Sequence, residues 1–95
     1  MFRDLNETIE GAALAGGERG GILFLCECGD DLCAEDVELT SGEYERIRSA
    51  STHFFVRPGH FTPEFEVIVE RHSRYWVVEK TGGAAEIARD TDPRT

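Results

Sequence analysis

Three cysteines within eight positions constrain this chain more than any other feature. They sit in Phe24-Leu25-Cys26-Glu27-Cys28-Gly29-Asp30-Asp31-Leu32-Cys33, at spacing C-x-C-x4-C. Cys26 and Cys28 are two residues apart, so on an extended segment both thiols leave the same face. Gly29 is expected to take the positive φ of a sharp reversal, and Asp30-Asp31 suit a turn. Cys33 then returns to the space already lined by Cys26 and Cys28. Three convergent thiolates point to a thiophilic cation, zinc first.

Tetrahedral zinc takes a fourth ligand. The candidates are His53, His60, His72 and the nearby carboxylates. His60 is the choice on local chemistry, because Pro58 and Gly59 make a turn that can deliver it inward from a strand end. A neutral histidine leaves the centre with a charge of about −1, a carboxylate with about −2, and the smaller charge is cheaper amid so many acids. His53 is expected to cap the strand Phe54–Val56, and His72 to sit in a surface turn. The predicted centre is therefore Cys26, Cys28, Cys33 and His60.

Other readings of the same cysteines compete. They could be small buried hydrophobes, although clustering argues against it. A disulfide pair with a spare thiol would make a redox sensor, triggered by zinc release. In one known small family an iron–sulfur cluster held by three Cys and one His also begins from C-x-C, but that family places its third cysteine farther on and its histidine close behind it, so Cys33 is too early and His60 too late. A catalytic zinc would keep a position open for water, with Glu27, Asp30, Asp31 or Glu35 as base. Three thiolates overcompensate Zn²⁺ and weaken it as a Lewis acid. No HExxH pattern, GxSxG elbow or phosphate loop occurs, and Gly16 to Gly21 lacks the Lys-Ser/Thr that a P-loop needs. Enzyme activity is the minority expectation.

The 95 residues suggest one domain with a small core, which a structural metal would reinforce. A hydrophobic share of 40% argues for a folded chain and against an acidic disordered one. The net charge of −9, with no run of Lys or Arg, disfavours a general affinity for nucleic acid or anionic membrane. The longest early apolar run, Ala12 to Ala15, is too short for a signal peptide, and nothing approaches the roughly 20 residues of a membrane span. A cytoplasmic setting is expected, where closely spaced thiols stay reduced.

Along the chain, Phe2, Leu5, Ile9, Ala12 and Ala13 recur at helical spacing and predict an amphipathic first helix, docked loosely or held for a partner. Gly16 to Gly21 reads as a linker. Ile22 to Leu25 is apolar on both faces and predicts a central strand covered on both sides. Asp36 to Leu39 alternates as a short return strand. Thr40 and Glu43 form a capping box, with Leu39 and Tyr44 at the staple positions of a helix ending near Ser49-Ala50. His53 to Val56 is a third strand. Thr62-Pro63-Glu64 suits a helical turn. Phe65–Glu70 and Tyr75–Lys80 then make an antiparallel hairpin through His72-Ser73. Ala84 to Arg89 closes the chain as a short helix.

Phe24-Leu25-Cys26-Glu27-Cys28-Gly29 with Cys33, Leu39-Thr40 with Glu43-Tyr44-Glu45, Pro58-Gly59-His60, and Tyr75–Lys80 with Thr91-Asp92-Pro93-Arg94 together resemble a group of small proteins of high-GC Gram-positive bacteria. The resemblance covers most of the chain from Gly21 onward. It implies a compact single domain and supplies neither an activity nor a catalytic residue.

These readings converge on an α+β fold, a small antiparallel sheet with packed helices and a zinc-knuckle-like site. Residues 1–20 form the helix and Gly-rich linker, 21–90 the domain, and 91–95 a polar tail. The expected function is that of a small zinc-binding protein with a structural Cys3His site, acting through a protein partner and not through nucleic acid or membrane. A thiol redox sensor or small metal-dependent hydrolase is the alternative, and the oligomeric state is left open.

Overall fold

The computed structural model describes residues 2–30 and 32–94; Asp31, placed in the turn above, lies outside them. The chain runs α1 (Arg3–Ala15), β1 (Ile22–Leu25), β2 (Asp36–Leu39), α2 (Ser41–Arg48), β3 (His53–Val56), β4 (Glu66–Arg71), β5 (Trp76–Lys80) and α3 (Gly82–Asp90). The architecture is α+β, and its strands fall into two antiparallel sheets, β1-β2 and β3-β5-β4.

β1 pairs with β2 from Ile22 opposite Leu39 to Leu25 opposite Asp36. It is not a central strand. Ile22 and Phe24 point into the core, while Leu23 is 57% exposed. With only β2 beside it, β1 leaves its other side unpaired, and a side chain from α1 takes the place of a neighbouring strand. Asn6 Oδ1 accepts from Leu25 N–H and Asn6 Nδ2 donates to Leu25 O, both at 2.9 Å. An unpaired backbone group buried here would cost about 1–3 kcal/mol, which the amide avoids.

That role makes the inner face of α1 more polar than expected. Arg3, Asn6 and Glu10 point inward, Ile9 and Ala13 are partly buried against the core, and Leu5 is exposed. Arg3 donates to Ser51 O at 2.7 Å and Ala88 O at 2.6 Å, and its guanidinium lies 4.5 Å over the Phe54 ring. The helix is bound by polar contacts more than by apolar area.

α2 begins as its sequence specifies. Thr40 Oγ1 accepts from Glu43 N–H at 3.0 Å, and Glu43 Oε1 accepts from Thr40 N–H at 2.8 Å, so two otherwise orphaned amides are satisfied. Its inner face sends Tyr44 against Phe24 in a stacked pair with centroids 4.4 Å apart, and Phe55 meets both rings edge-on. This aromatic group joins the β1-β2 sheet to the second sheet. The backbone joins them too, through Glu27 N–H to Phe55 O at 3.0 Å.

In the second sheet β5 lies between β3 and β4, and a bulge interrupts the β4–β5 register between Ile68 and Glu70. The hairpin between β4 and β5 turns through His72-Ser73, with His72 N–H donating to Tyr75 O at 2.9 Å. On its α3 side a buried Lys80–Glu66 ion pair stands beside Phe54. The C-terminal segment, expected as a polar tail, is tied down. Asp92 is buried and pairs with Arg48 at 2.6 Å, while Arg94 bridges Glu7, Glu10 and Glu45.

Candidate metal centre

Cys26 follows directly on β1, and its N–H continues the β1-β2 ladder to Glu35 O at 2.9 Å. The alternation of an extended chain turns Cys26 and Cys28 one way and Glu27 the other. Gly29 does not take a positive φ. Asp30 makes the reversal: its Oδ1 accepts from Leu32 N–H at 2.9 Å and its carbonyl accepts from Cys33 N–H at 3.0 Å. This short-range bonding by an aspartate returns Cys33 to the other two thiols.

His60 arrives on a tight turn. Its N–H donates to Arg57 O at 2.9 Å, with Pro58 next and Gly59 at φ 87°, the geometry of a type II turn with glycine where φ must be positive. The turn follows β3, whose partner strand Trp76–Lys80 and whose contact with Glu27 set its position against the cysteine loop.

The four side chains converge. One ligand atom from each of Cys26, Cys28, Cys33 and His60 lies within 4.8 Å of the others. His60 Nδ1 is 3.7 Å from Cys26 Sγ and 3.7 Å from Cys33 Sγ. Bond lengths of about 2.3 Å to sulfur and 2.0–2.1 Å to nitrogen put the S–N edge of a zinc tetrahedron at about 3.6 Å. The donor set and its spacing fit a metal ion. The three cysteines are buried and His60 is exposed, so the group sits at the protein surface with its imidazole outward.

Burial pushes the Cys26 thiol up to about 12, and it raises Cys28 as well. Backbone N–H groups oppose that cost: Arg57 N–H points at Cys26 Sγ at 3.2 Å, and the amides of Cys28 and Asp30 serve Cys26 and Cys28. Such donors stabilise thiolates whether or not a cation is bound. Arg57 was not singled out from the sequence. The signal was its place before Pro58, in the turn that carries His60.

The other candidates stand elsewhere. His53 Nε2 lies 3.6 Å from Glu79 Oε2, and His72 Nε2 lies 2.8 Å from Glu70 Oε1 with its ring stacked on Tyr75. Glu27 is fully buried and faces away from the thiols, accepting from Asn6 Nδ2 at 2.9 Å and from Phe55 N–H at 3.4 Å. Burial pushes its carboxyl up to about 7. Glu35 pairs with Arg57 at 3.4 Å, and Asp30 is engaged in its own turn. Among the described residues no carboxylate joins the four side chains.

A comparison with protein-family models, with curated proteins and with solved structures returns no match. The chemistry of the site is therefore read from its own geometry. Among the described residues no helix is long and apolar enough to cross a membrane.

Proposed function

We propose that this chain is a small zinc-binding protein whose Cys26-Cys28-Cys33-His60 centre is structural, and that it acts through contacts with another protein, in a regulatory role. The observation that carries the reading is the convergence of four protein donors within 4.8 Å. Four such donors fill a tetrahedron, so no position is left for a substrate or an activated water. That favours a closed structural centre over a hydrolase. The centre would pin the loop after β1 to the turn after β3, which also meet through Arg57, whose N–H points at Cys26 Sγ and whose guanidinium pairs with Glu35.

Three thiols without a disulfide suit a reducing compartment such as the cytoplasm. The net charge of −9 weighs against nucleic acid as the partner and leaves a protein. The test is elemental analysis of purified protein with an absorption spectrum. One zinc per chain and no visible colour is the expected result. Visible charge-transfer bands would replace zinc with iron. A metal-free protein with an unaltered fold would overturn the structural role.

A further inference from the structure

We propose that β4 is a docking edge for an extended segment of a partner protein, one that alternates apolar and basic residues. The proposal rests on the reading that the protein acts through protein contacts, and it names the surface and the partner's chemistry. β4 is the outer strand of the order β3-β5-β4. The opposite edge is engaged, since Phe55 O in β3 accepts from Glu27 N–H. Among the described residues, no backbone hydrogen bond outside the β4–β5 ladder involves residues 67–71. An unpaired edge of this kind is a template for another strand.

The side chains on that edge are unusual for a surface left bare. Glu66 and Ile68 turn inward, while Val67 and Val69 are 48% and 41% exposed, and Phe65 just before them is 53% exposed. Free edges are normally blunted with lysine or proline at such positions. Here three alternate positions are apolar.

Charge selects the occupant. The chain carries −9, Glu64 is exposed at the start of the stripe, and Glu79, which His53 meets from β3 at 3.6 Å, stands in register beside Val67 on β5 with its side chain 43% exposed. A lysine or arginine on the docked strand can lay its methylene stem across Val67 and carry its head toward Glu79. The residues between, facing the other way, meet Ile68 and are best apolar. A second copy of this chain would bring the same acids and the same negative charge, so it fits less well. Phe65 N–H and Glu66 N–H already donate to Thr62 O, and the bulge falls between Ile68 and Glu70, so the docked strand bonds only a few residues around Val67 and Ile68.

The probe is an acetylated, amidated heptapeptide alternating lysine and valine, titrated into zinc-loaded full-length protein. Amide chemical shifts should move at residues 65–71, and exchange of the Ile68 amide should slow. Val67→Lys should weaken binding at least tenfold with zinc content and melting temperature unchanged. A peptide of the same charge with a central proline should not bind, nor should one alternating glutamate and valine. Equal binding of the proline peptide, or shifts that avoid residues 65–71, would overturn the docking edge. So would a concentration-dependent dimer that protects β4 and ignores the peptide, which would make a second copy the occupant. Full zinc content with no binding at β4 removes this proposal alone; absent zinc with binding at β4 intact removes the structural centre alone.

Discussion

Cys26 and His60, 34 residues apart in sequence, bring Sγ and Nδ1 to within 3.7 Å of each other. One sits on the loop after β1 and the other on the turn after β3, so the two sheets meet at a group of four side chains that could hold a metal. The first expectation follows. His60→Ala should weaken zinc binding by more than about tenfold, or about 1.4 kcal/mol. His53→Ala and His72→Ala should leave it unchanged, because those rings pair with Glu79 and Glu70. Competition with a metallochromic chelator measures all three. Parent-like affinity in His60→Ala would show that the fourth corner is filled by something else.

Metal removal should cost much of the stability of so small a domain, which totals only about 5–15 kcal/mol. Each 1 kcal/mol lost lowers the melting temperature of a domain this size by about 4–8 °C. A chelator under reducing conditions should therefore lower the melt by tens of degrees, and Cys28→Ser should do the same without a chelator. Calorimetry with the zinc content verified before and after is the measurement. A coincident melt for loaded and stripped protein speaks against a structural centre.

The C-terminal segment should matter to the fold. Arg48 is wholly buried and Asp92 nearly so, with 2.6 Å between them. Removing one partner leaves a buried charge uncompensated, at a cost of about 3–5 kcal/mol. Arg48 keeps Glu7 Oε2 at 3.5 Å, which places Asp92→Ala at the lower end of that range. Urea unfolding of Asp92→Ala against the parent tests it. A difference below about 1 kcal/mol would mean that residues 91–94 only rest on the surface.

Glu10 supplies a pH dependence of defined sign. Burial first, and then the neighbouring Glu45 and Glu7 carboxylates, push its carboxyl up to about 7, with Arg94 opposing them. A carboxyl raised on folding contributes stability that is complete below its unfolded value near 4.5 and is lost as pH rises through 7. Glu10→Gln should therefore be more stable than the parent at pH 8 and no more stable at pH 4. Arg94 retains Glu7 and Glu45 in that variant, so its own pairing persists. Denaturant midpoints across the pH range decide the matter, and a variant less stable than the parent at pH 8 would assign Glu10 a charged role.

What could be read from the sequence was encoded within a few residues. The Thr40–Glu43 capping box and the Pro58-Gly59 turn are local, and so is the reversal before Cys33, expected at Gly29 and made one residue later by Asp30. The cysteine spacing is equally local, and His60 was reached through the turn that carries it. Periodicity found α1 and placed Ile9 and Ala13 toward the core, but it missed the polar residues that fill the rest of its inner face. Arg3, Asn6 and Glu10 turn inward only because Ser51, Leu25 and Arg94 are there to meet them, 48, 19 and 84 residues away. The same distance hid the anchoring of Asp92, and it hid the place of β1. An apolar run at Ile22–Leu25 suits a strand covered on both faces, but which neighbours arrive is decided by the whole chain. Here one side received β2 and the other received the amide of Asn6, leaving Leu23 to solvent. Local hydrogen-bonding and steric preferences determined the elements and three of the ligands. Only the tertiary structure, through long-range charge pairs and the meeting of two sheets, decided which polar groups lie buried and brought His60 to the three thiols.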